Sequence, residues 1–393
     1  MFQPKYEELV TQVTTPAYVF DIDVLCNRIQ FIKNKLGNKV QLCYAMKANP
    51  FVVKAIENQI DYYEVCSHGE FDICERAGIN MNKIVLSGVY KAKHDLEYVI
   101  AKYQDTLIYT CESPNQFHMI HEIAKQMNIK VNALLRITTH NQFGMSEDQL
   151  CSLIEKRKEF PYINIIGIHH FSGTQRKKIN MYKEELEYVD SLILKLENEY
   201  GYVPDKLEFG PGFYVEYFQH SKQPYDEEEL LDGFVDLLDN LHFQGQITIE
   251  LGRFIAATCG NYYTDIVDYK VNDVPYCIVN GGMHQTTYYG QMMAMKIPYY
   301  RQLKKKEVQG DYINCNISGS LCTINDNLVK GLTLQNPEVG DIIEFQRVGA
   351  YAMCEGISLF LSRDLPSVYL YSNKEGLQLQ RARFETNILN FKQ

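Results

Sequence analysis

The middle of the chain alternates between short β-branched or aromatic runs and longer helical patterns. Many of the runs end at Gly, Ser or Asn, and amphipathic segments follow them. Such alternation is typical of parallel strands joined by helical crossovers. The pattern predicts eight strands, at Gln41–Met46, Tyr62–Cys66, Ile84–Leu86, Thr106–Thr110, Val131–Ile137, Ile165–Phe171, Lys206–Phe209 and Gln246–Leu251. It predicts seven helices between them, at Phe51–Gln59, Gly69–Ala77, Lys91–Tyr103, Ser113–Met127, Ser146–Lys158, Lys177–Tyr200 and Glu227–Leu241.

Eight successive strand–helix units predict a (β/α)8 TIM barrel, which we place over residues 28–255. A barrel of this kind typically takes about 250 residues. The alternative is a doubly wound open sheet, which would have a Gly-rich turn after its first strand. Met46-Lys47-Ala48-Asn49 is not such a turn, so the pattern favours the barrel.

Beyond residue 255 the pattern changes to short strands with turns between them. The predicted strands are Tyr262–Val271, Tyr276–Val279, Tyr312–Asn316, Ile342–Arg347 and Ser367–Tyr371. Few helical windows remain, which predicts an all-β domain, a β-sandwich or β-barrel, over residues 256–393. The early run Ala17–Phe20 is expected to join it, so that residues 1–27 and 256–393 form one discontinuous domain.

Charge and cysteine content exclude several classes of protein. The chain has 39 Lys and Arg against 49 Asp and Glu, a formal charge of −10, and so lacks the basic surface of a general nucleic-acid binder. Its 11 cysteines include no C-x-x-C; we expect no metal and free thiols in a reducing cytoplasm. Neither a signal peptide nor an 18-residue apolar run is found, so we expect no membrane association.

The catalytic face of a TIM barrel is formed by the C-terminal ends of its strands. Lys47 follows the first predicted strand, and Glu250 lies near the end of the eighth. Gly-bearing turns, Gly210-Pro211-Gly212 and Gly252-Arg253, follow the last two strands, where this fold often binds phosphate. An amine, an acid and a phosphate cradle are the parts of a pyridoxal phosphate site. Each part alone is also compatible with a structural ion pair or a simple turn.

The same segments resemble the alanine racemase-fold amino acid decarboxylases, the ornithine/diaminopimelate/arginine decarboxylase group. Tyr44-Ala45-Met46-Lys47-Ala48-Asn49-Pro50 is similar to their pyridoxal-lysine motif. Further similar segments follow in the same order through most of the chain: Glu64–Glu70, Gly167–Gln175, Glu208–Phe213, Glu250–Arg253, Asn280–Met283, Gly319–Asp326 and Gly349–Tyr351. Pro211 and Leu251 depart from the family's Gly-Gly-Gly and Glu-Pro-Gly-Arg patterns.

The resemblance implies a pyridoxal 5'-phosphate-dependent decarboxylase. Lys47 would hold the cofactor through a Schiff base, and Glu250 would keep its ring nitrogen protonated. The phosphate would be bound by Gly210, Gly212, Gly252, Arg253 and Tyr351. Cys322 would enter from a partner subunit and return a proton to Cα after carbon dioxide leaves, which implies a homodimer with shared active sites. A buried, structural thiol is the alternative for Cys322.

The sequence departs from the family beside the cofactor. Phe171 occupies the position at which these decarboxylases commonly stack a His on the cofactor ring; its side chain can stack but cannot donate a hydrogen bond. His169 and His170 either support the site from behind or belong to the core.

The substrate-binding positions also depart. Thr323 replaces the acidic residue that meets a distal ammonium, and the Arg that diaminopimelate decarboxylases place after the Gly-Gly-Met segment has no counterpart. With Thr323 and Asp326 near the substrate, the chain is more similar to the branch that acts on conjugated or carrier-tethered aminoacyl groups.

Two other functions are compatible with the same barrel. An amino acid racemase is one, but racemases of this fold place an Arg at the ring nitrogen, where this chain has Glu250. A non-catalytic, regulatory relative is the other. The presence of Lys47, Glu250 and Cys322 argues against it.

Overall fold

The computed structural model describes residues 1–219, 225–306 and 310–392. The chain divides into two compact units. One, the barrel unit, comprises Arg28–Tyr214 and Tyr225–Phe254; the other, the β unit, comprises Met1–Asn27, Val215–Pro224 and Ile255–Gln393.

The secondary structure alternates through the barrel unit and is mostly β in the second unit. The strands are β1 (Ala17–Asp21), β2 (Val40–Ala45), β3 (Tyr62–Val65), β4 (Ile84–Leu86), β5 (Ile108–Cys111), β6 (Val131–Arg136), β7 (Ile163–Phe171), β8 (Lys206–Gly210), β9 (Gln246–Leu251), β10 (Gly260–Val271), β11 (Pro275–Val279), β12 (Tyr300–Leu303), β13 (Tyr312–Ser318), β14 (Asn327–Gln335), β15 (Ile342–Gln346), β16 (Ser367–Ser372) and β17 (Gly376–Arg381). The α-helices are α1 (Tyr6–Gln12), α2 (Ile22–Leu36), α3 (His68–Arg76), α4 (Lys93–Tyr103), α5 (Pro114–Met127), α6 (Glu147–Glu155), α7 (Ile179–Tyr200), α8 (Glu227–Asp239) and α9 (Arg253–Ala256).

Strands β2 to β9 form a closed, parallel barrel. The barrel closes because β2 pairs in parallel with both β3 and β9. The predicted (β/α)8 barrel is confirmed, and the open doubly wound sheet is excluded.

Side chains from alternate strands fill the barrel interior in layers, as this fold requires. Cys43 of β2, Val85 of β4 and Leu134 of β6 form one buried cluster. Within this layer β2 and β9 are in register, with Cys43 opposite Glu250. The next position of β2 that points inward is Ala45, the last residue of the strand. Lys47 follows two residues later and therefore lies at the barrel mouth.

The predicted helix Phe51–Gln59 is wrong. After β2 the chain forms two short 3-10 turns, Met46–Ala48 and Pro50–Val52, and then continues in turns to β3. The Asn49 side chain accepts a hydrogen bond from the Phe51 N–H, which fixes a tight turn directly after Lys47. The β-branched pair Val52-Val53 also has low helix propensity.

The β unit contains a nine-stranded sheet with the order β14-β13-β11-β10-β1-β16-β17, with β15 paired to β10 and to β12. Strand β1 pairs antiparallel with β10 and parallel with β16, so the predicted pairing of the early strand with the C-terminal strands is confirmed. The pattern missed β12, β14 and β17. Strand β12 has only four residues, Lys330-Gly331 interrupts the apolar sequence pattern of β14, and β17 is largely polar.

Within residues 1–219, 225–306 and 310–392, no helix is both long and apolar enough to cross a bilayer.

Gly167 offers a direct test of barrel packing. A Cβ at Gly167 in β7 would lie 1.8 Å from the Lys206 carbonyl oxygen of β8. Because neither backbone can move without disturbing the ladder, Gly167→Ala should destabilise the protein by about 1–3 kcal/mol. The free energy of unfolding from denaturant titration measures this.

The matched control for this change is Gly69→Ala. Gly69 lies in the first turn of α3, where an added Cβ would only touch Ser67 Oγ at 3.9 Å, so this variant should keep or slightly raise stability. Equal effects of the two substitutions would contradict the close approach of β7 and β8.

Candidate active site

Lys47 lies at the mouth of the barrel between two carboxylates. Its Nζ is 2.6 Å from Glu64 Oε2 and 3.7 Å from Glu250 Oε1. The two carboxylates are almost completely buried, whereas the Lys47 side chain is 39 % exposed. The structure therefore brings the predicted Lys47 and Glu250 together, with the amine facing outward from a buried acidic floor.

Glu64 is a site residue to which the sequence analysis gave no role. Strand register places it beside Ala45 of β2, so that it points toward the Lys47 amine. Burial and the Glu250 carboxylate raise the pKa of Glu64. The signal in the sequence was a Glu between two apolar strand residues, Tyr63 and Val65, a position where an acid is costly without a partner.

His169 contacts the Glu250 oxygen that is not the one nearest Lys47. It lies on β7, fully buried, with its Nε2 3.1 Å from Glu250 Oε2. Burial and the nearby Arg136 cation lower the pKa of His169 to about 3, so the ring is neutral. A neutral imidazole beside a carboxylate donates through Nε2–H, which orients one Glu250 oxygen inward and leaves the other toward Lys47.

His170 belongs to the core. Its side chain points to the opposite face of β7, where the ring stacks on Phe209 at a centroid distance of 5.5 Å and an interplanar angle of 14°. Burial lowers the pKa of His170 to about 3. Of the two interpretations of this pair, the structure places His169 behind the site and His170 in the core.

Glu208 is a third buried carboxylate near Glu250. One nitrogen of His169 and one carboxylate oxygen each from Glu208 and Glu250 lie within 4.8 Å of one another. Neither Glu208 oxygen has a hydrogen-bond partner among the described residues. Burial and the neighbouring Glu250 raise the pKa of Glu208, although the Lys206 amine opposes this shift, so the protonated carboxylic acid is favoured.

The Gly-bearing turns leave room at the ends of the last barrel strands. Phe171 packs on Gly210, where a Cβ would lie 2.3 Å from Phe171 Cδ2. Gly212 has a φ of +61°, and its Cβ would lie 1.8 Å from the Gly173 carbonyl oxygen. Only glycine fits these two positions. The half-buried Phe171 ring therefore lies at the mouth, beside backbone that a phosphate could approach.

Gly252 and Arg253 follow β9. A Cβ at Gly252 would lie 3.0 Å from Ala48 Cβ, so Gly252 packs against the turn that carries Lys47. Arg253 is buried and begins the four-residue helix α9. The amine, the acid and the glycine turns thus fit the chemical groups of pyridoxal phosphate: an aldehyde, a ring nitrogen and a phosphate.

The remaining predicted site residues lie in the β unit. Cys322 is exposed on a loop between β13 and β14, and Thr323 follows it. Asp326 is buried, and its carboxylate accepts the N–H groups of Met283 at 2.7 Å and Leu321 at 2.8 Å. Asp326 therefore holds the Cys322 loop in place. Its predicted contact with substrate stays a prediction. Tyr351 is half-buried, with a left-handed φ of +64°.

Comparison with known proteins identifies the family. The profile described as "Pyridoxal-dependent decarboxylase, pyridoxal binding domain" matches residues 23–257, more than half of the chain. The chain belongs to this family. The match confirms the predicted cofactor, pyridoxal phosphate, and the predicted reaction class, decarboxylation rather than racemisation.

Two decarboxylases match this chain over nearly the whole length of both proteins. An L-glutamyl-(BtrI acyl-carrier protein) decarboxylase of Niallia circulans is 26 % identical, over 94 % of this chain and 92 % of its own. A 2-((L-alanin-3-ylcarbamoyl)methyl)-2-hydroxybutanedioate decarboxylase of Staphylococcus aureus is 25 % identical, over 95 % and 98 %. The crystal structure of diaminopimelate decarboxylase from Helicobacter pylori in complex with L-lysine has the same fold, with a TM-score of 0.85 over 98 % of both chains at 24 % identity.

The buried Glu208 makes stability depend on pH. The unfolded chain loses this proton near its ordinary pKa of 4.5, whereas the folded protein keeps it up to about pH 8. The unfolded state thus binds fewer protons in this window, and the free energy of unfolding should fall as pH rises from about 5 to 8. Glu208→Gln should remove this part of the slope, measured by denaturant titration of the holoenzyme at several pH values.

Glu187→Gln is the control, because Glu187 is an exposed carboxylate on α7 that pairs only with Lys183 at 3.8 Å among the described ion pairs. It should leave the slope unchanged. An unchanged slope in Glu208→Gln would mean that the folded protein ionises Glu208 as readily as the unfolded chain does.

Proposed function

We propose that this pyridoxal phosphate-dependent decarboxylase acts on an amino acid conjugate, in a homodimer whose active sites combine residues of both chains. The observation that carries the catalytic part is the placement of Lys47 Nζ 3.7 Å from Glu250 Oε1, over buried carboxylates. The aldehyde and the ring nitrogen of pyridoxal phosphate lie at opposite ends of its ring, so the flexible Lys47 side chain would extend away from Glu250 and the ring would lie between the two groups.

Each residue of the mouth has a role in this proposal. Lys47 holds the cofactor covalently. Glu250, oriented by the His169 Nε2–H, keeps a proton on the ring nitrogen. When bound, the cofactor supplies the electron sink that decarboxylation at Cα requires. The proton on Glu208 lowers the negative charge behind Glu250, and Phe171 offers an aromatic face to the ring.

The phosphate is held by main-chain N–H groups of the glycine turns. Gly210 and Gly212 follow β8, and Gly252 and Arg253 follow β9, so all four lie at the same end of the barrel. Main-chain N–H groups suit a phosphate because they donate without the entropy loss of long side chains. Tyr351 adds a hydroxyl group.

Cys322 provides the proton that returns to Cα. Its thiol is exposed on a loop that Asp326 fixes, which suits a group that must reach another surface. A two-fold dimer then gives two equivalent sites, each with Lys47 from one chain and Cys322 from the other. In this arrangement residues 28–255 form the cofactor domain, and residues 1–27 with 256–393 form the domain that reaches the partner.

The proposed substrate is an amino acid joined to another group. Thr323 gives the Cys322 loop no carboxylate for a distal ammonium, and Asp326 is occupied by two main-chain N–H groups. Two of the relatives are named for conjugates, a glutamyl group on a carrier protein and an alanine linked to a hydroxybutanedioate. None of the 11 cysteines, all of which lie in the described part of the chain, forms a disulfide, which supports a reducing cytoplasm as the location.

The experiment that tests the function is carbon dioxide release from matched pairs of substrates. Free diamino acids such as diaminopimelate, ornithine and lysine form one group. The other group consists of the same amino acids with the distal amine joined to a dicarboxylic acid through an amide and the α-amino group left free. We expect release from the conjugates only. Release from a free diamino acid at a comparable kcat/KM would contradict the proposed substrate class.

Covalent attachment of the cofactor should be specific to Lys47. Borohydride reduction of the holoenzyme followed by peptide mapping should place the cofactor on Lys47, because it is the amine held over the buried acids. Lys206 is the matched control and should stay unmodified, since it is a buried lysine of the same barrel whose Nζ lies 3.3 Å from Gln41 Oε1. Modification of another lysine with Lys47 intact would contradict the assignment.

Shared sites are tested by mixing two inactive variants. Lys47→Ala and Cys322→Ala proteins should each be nearly inactive alone. After subunit exchange, half of the dimers are mixed and each has one intact site, so activity should return to about a quarter of the wild-type value. No recovery despite proven exchange would mean that Lys47 and Cys322 serve the same chain's site or that Cys322 plays no part.

A further inference from the structure

The β unit contains a cavity of about 490 Å3 beside the exposed Cys322. Its wall includes polar groups from separate segments: the Cys322 loop supplies Ser320, the segment after β11 supplies His284, and the segment before β16 supplies Arg363. The cavity lies within the β unit alone. None of the catalytic roles proposed for Lys47, Glu250 or Cys322 uses these three polar groups.

His284 is a buried polar group without a partner. It is only 3 % exposed, and neither of its ring nitrogens has a hydrogen bond among the described residues. Burial and the nearby Arg363 lower the pKa of His284 to about 4, so the ring is neutral and carries one N–H donor. Ser320 Oγ on the same wall is also buried without a partner among those residues. Buried polar atoms in such a state need a partner outside the chain, either ordered water or a ligand.

Arg363 places a positive charge at this cavity, and it is close enough to Asp326 to oppose the rise that burial causes in the pKa of that carboxyl group. Its guanidinium donates to the Ser320 carbonyl oxygen at 2.8 Å, and it forms no ion pair with a carboxylate of the described residues. The neighbouring Arg383 differs, because its Nε lies 2.6 Å from Asp364 Oδ2. Of the acids nearby, Asp364 is therefore paired, and Asp326 is occupied by main-chain N–H groups.

We propose that this cavity binds an oxyanion of the substrate, a carboxylate or phosphate carried by the part of the conjugate that lies away from the reacting Cα. Such a group could accept from the Arg363 guanidinium, the His284 N–H and the Ser320 hydroxyl at once. Arginine suits this role because its donors match the geometry of both anions. The inference rests on the proposed role of Cys322, which borders the cavity and would place the anion next to the reaction.

The same charges exclude the free diamino acids. A distal ammonium in this cavity would meet the Arg363 cation, and the Asp364 carboxylate in the wall is already paired with Arg383, so like-charge repulsion would disfavour it. The cavity thus selects by charge: it accepts the anionic end of a conjugate and rejects a cationic side chain.

The test uses Cys322 as a reporter in the holoenzyme. N-Ethylmaleimide, which is neutral, is added with glutarate, inorganic phosphate or sodium chloride at equal ionic strength, and labelling is followed by peptide mass spectrometry. Cys354 is the internal reference, because it is also exposed but does not line the cavity. We expect glutarate or phosphate to slow labelling of Cys322 several-fold, saturably, and to leave Cys354 unchanged. Protection by only one of them identifies the anion as carboxylate or phosphate.

Variants link the protection to the proposed residues. Arg363→Gln and His284→Leu should each abolish protection, and Arg363→Lys should keep part of it. Arg383→Gln is the matched control, since it removes a cation that Asp364 already neutralises, and it should leave protection largely intact. Because labelling does not require turnover, its result is independent of the carbon dioxide assay. No protection by either anion, or equal protection in Arg363→Gln, overturns the inference even if the enzyme decarboxylates a conjugate.

Discussion

The crowding of carboxylates beneath one amine governs the rest of this active site. Glu64, Glu208 and Glu250 are buried close to one another in the barrel, and the Lys47 amine lies against Glu64 and Glu250. Three ionised acids in a dry interior would repel one another strongly. Protonation of Glu208 relieves this repulsion, and the hydrogen bond between His169 Nε2 and Glu250 Oε2 orients the Glu250 carboxylate. The charge behind the cofactor is therefore concentrated where a ring nitrogen needs it.

This arrangement also explains why decarboxylation suits the barrel better than racemisation. A carboxylate at the ring nitrogen favours the protonated ring, which is the strongest electron sink. The β unit complements this with an exposed thiol whose loop is fixed by Asp326. In the proposed division of roles, the barrel removes carbon dioxide, the Cys322 loop returns a proton, and the cavity beside that loop selects the substrate by charge.

Much of this followed from the sequence, because strand ends in a (β/α)8 barrel define the catalytic face. That rule predicted Lys47 and Glu250 as site candidates, and the strand pattern predicted the closed barrel, which is confirmed. The roles of Glu64 and Glu208 could not be seen, since they depend on which buried residues share a layer across strands. The predicted helix Phe51–Gln59 is replaced by a 3-10 turn that Asn49 caps and by further turns, in a segment where the β-branched pair Val52-Val53 has low helix propensity. The cavity beside Cys322, lined by Ser320, His284 and Arg363, is formed by segments far apart in the chain, and no sequence motif indicates it.

The role of Glu250 is the central claim, and single-turnover carbon dioxide release from Glu250→Gln holoenzyme tests it most directly. The amide keeps the shape of the side chain but cannot hold the ring nitrogen protonated. The cofactor should stay bound, and the rate of the chemical step should fall by a few powers of ten, on the order of several kcal/mol of lost electrostatic stabilisation. Glu208→Gln, which replaces an acid that is already neutral, should have a much smaller effect. A near-normal rate in Glu250→Gln would contradict this role of Glu250.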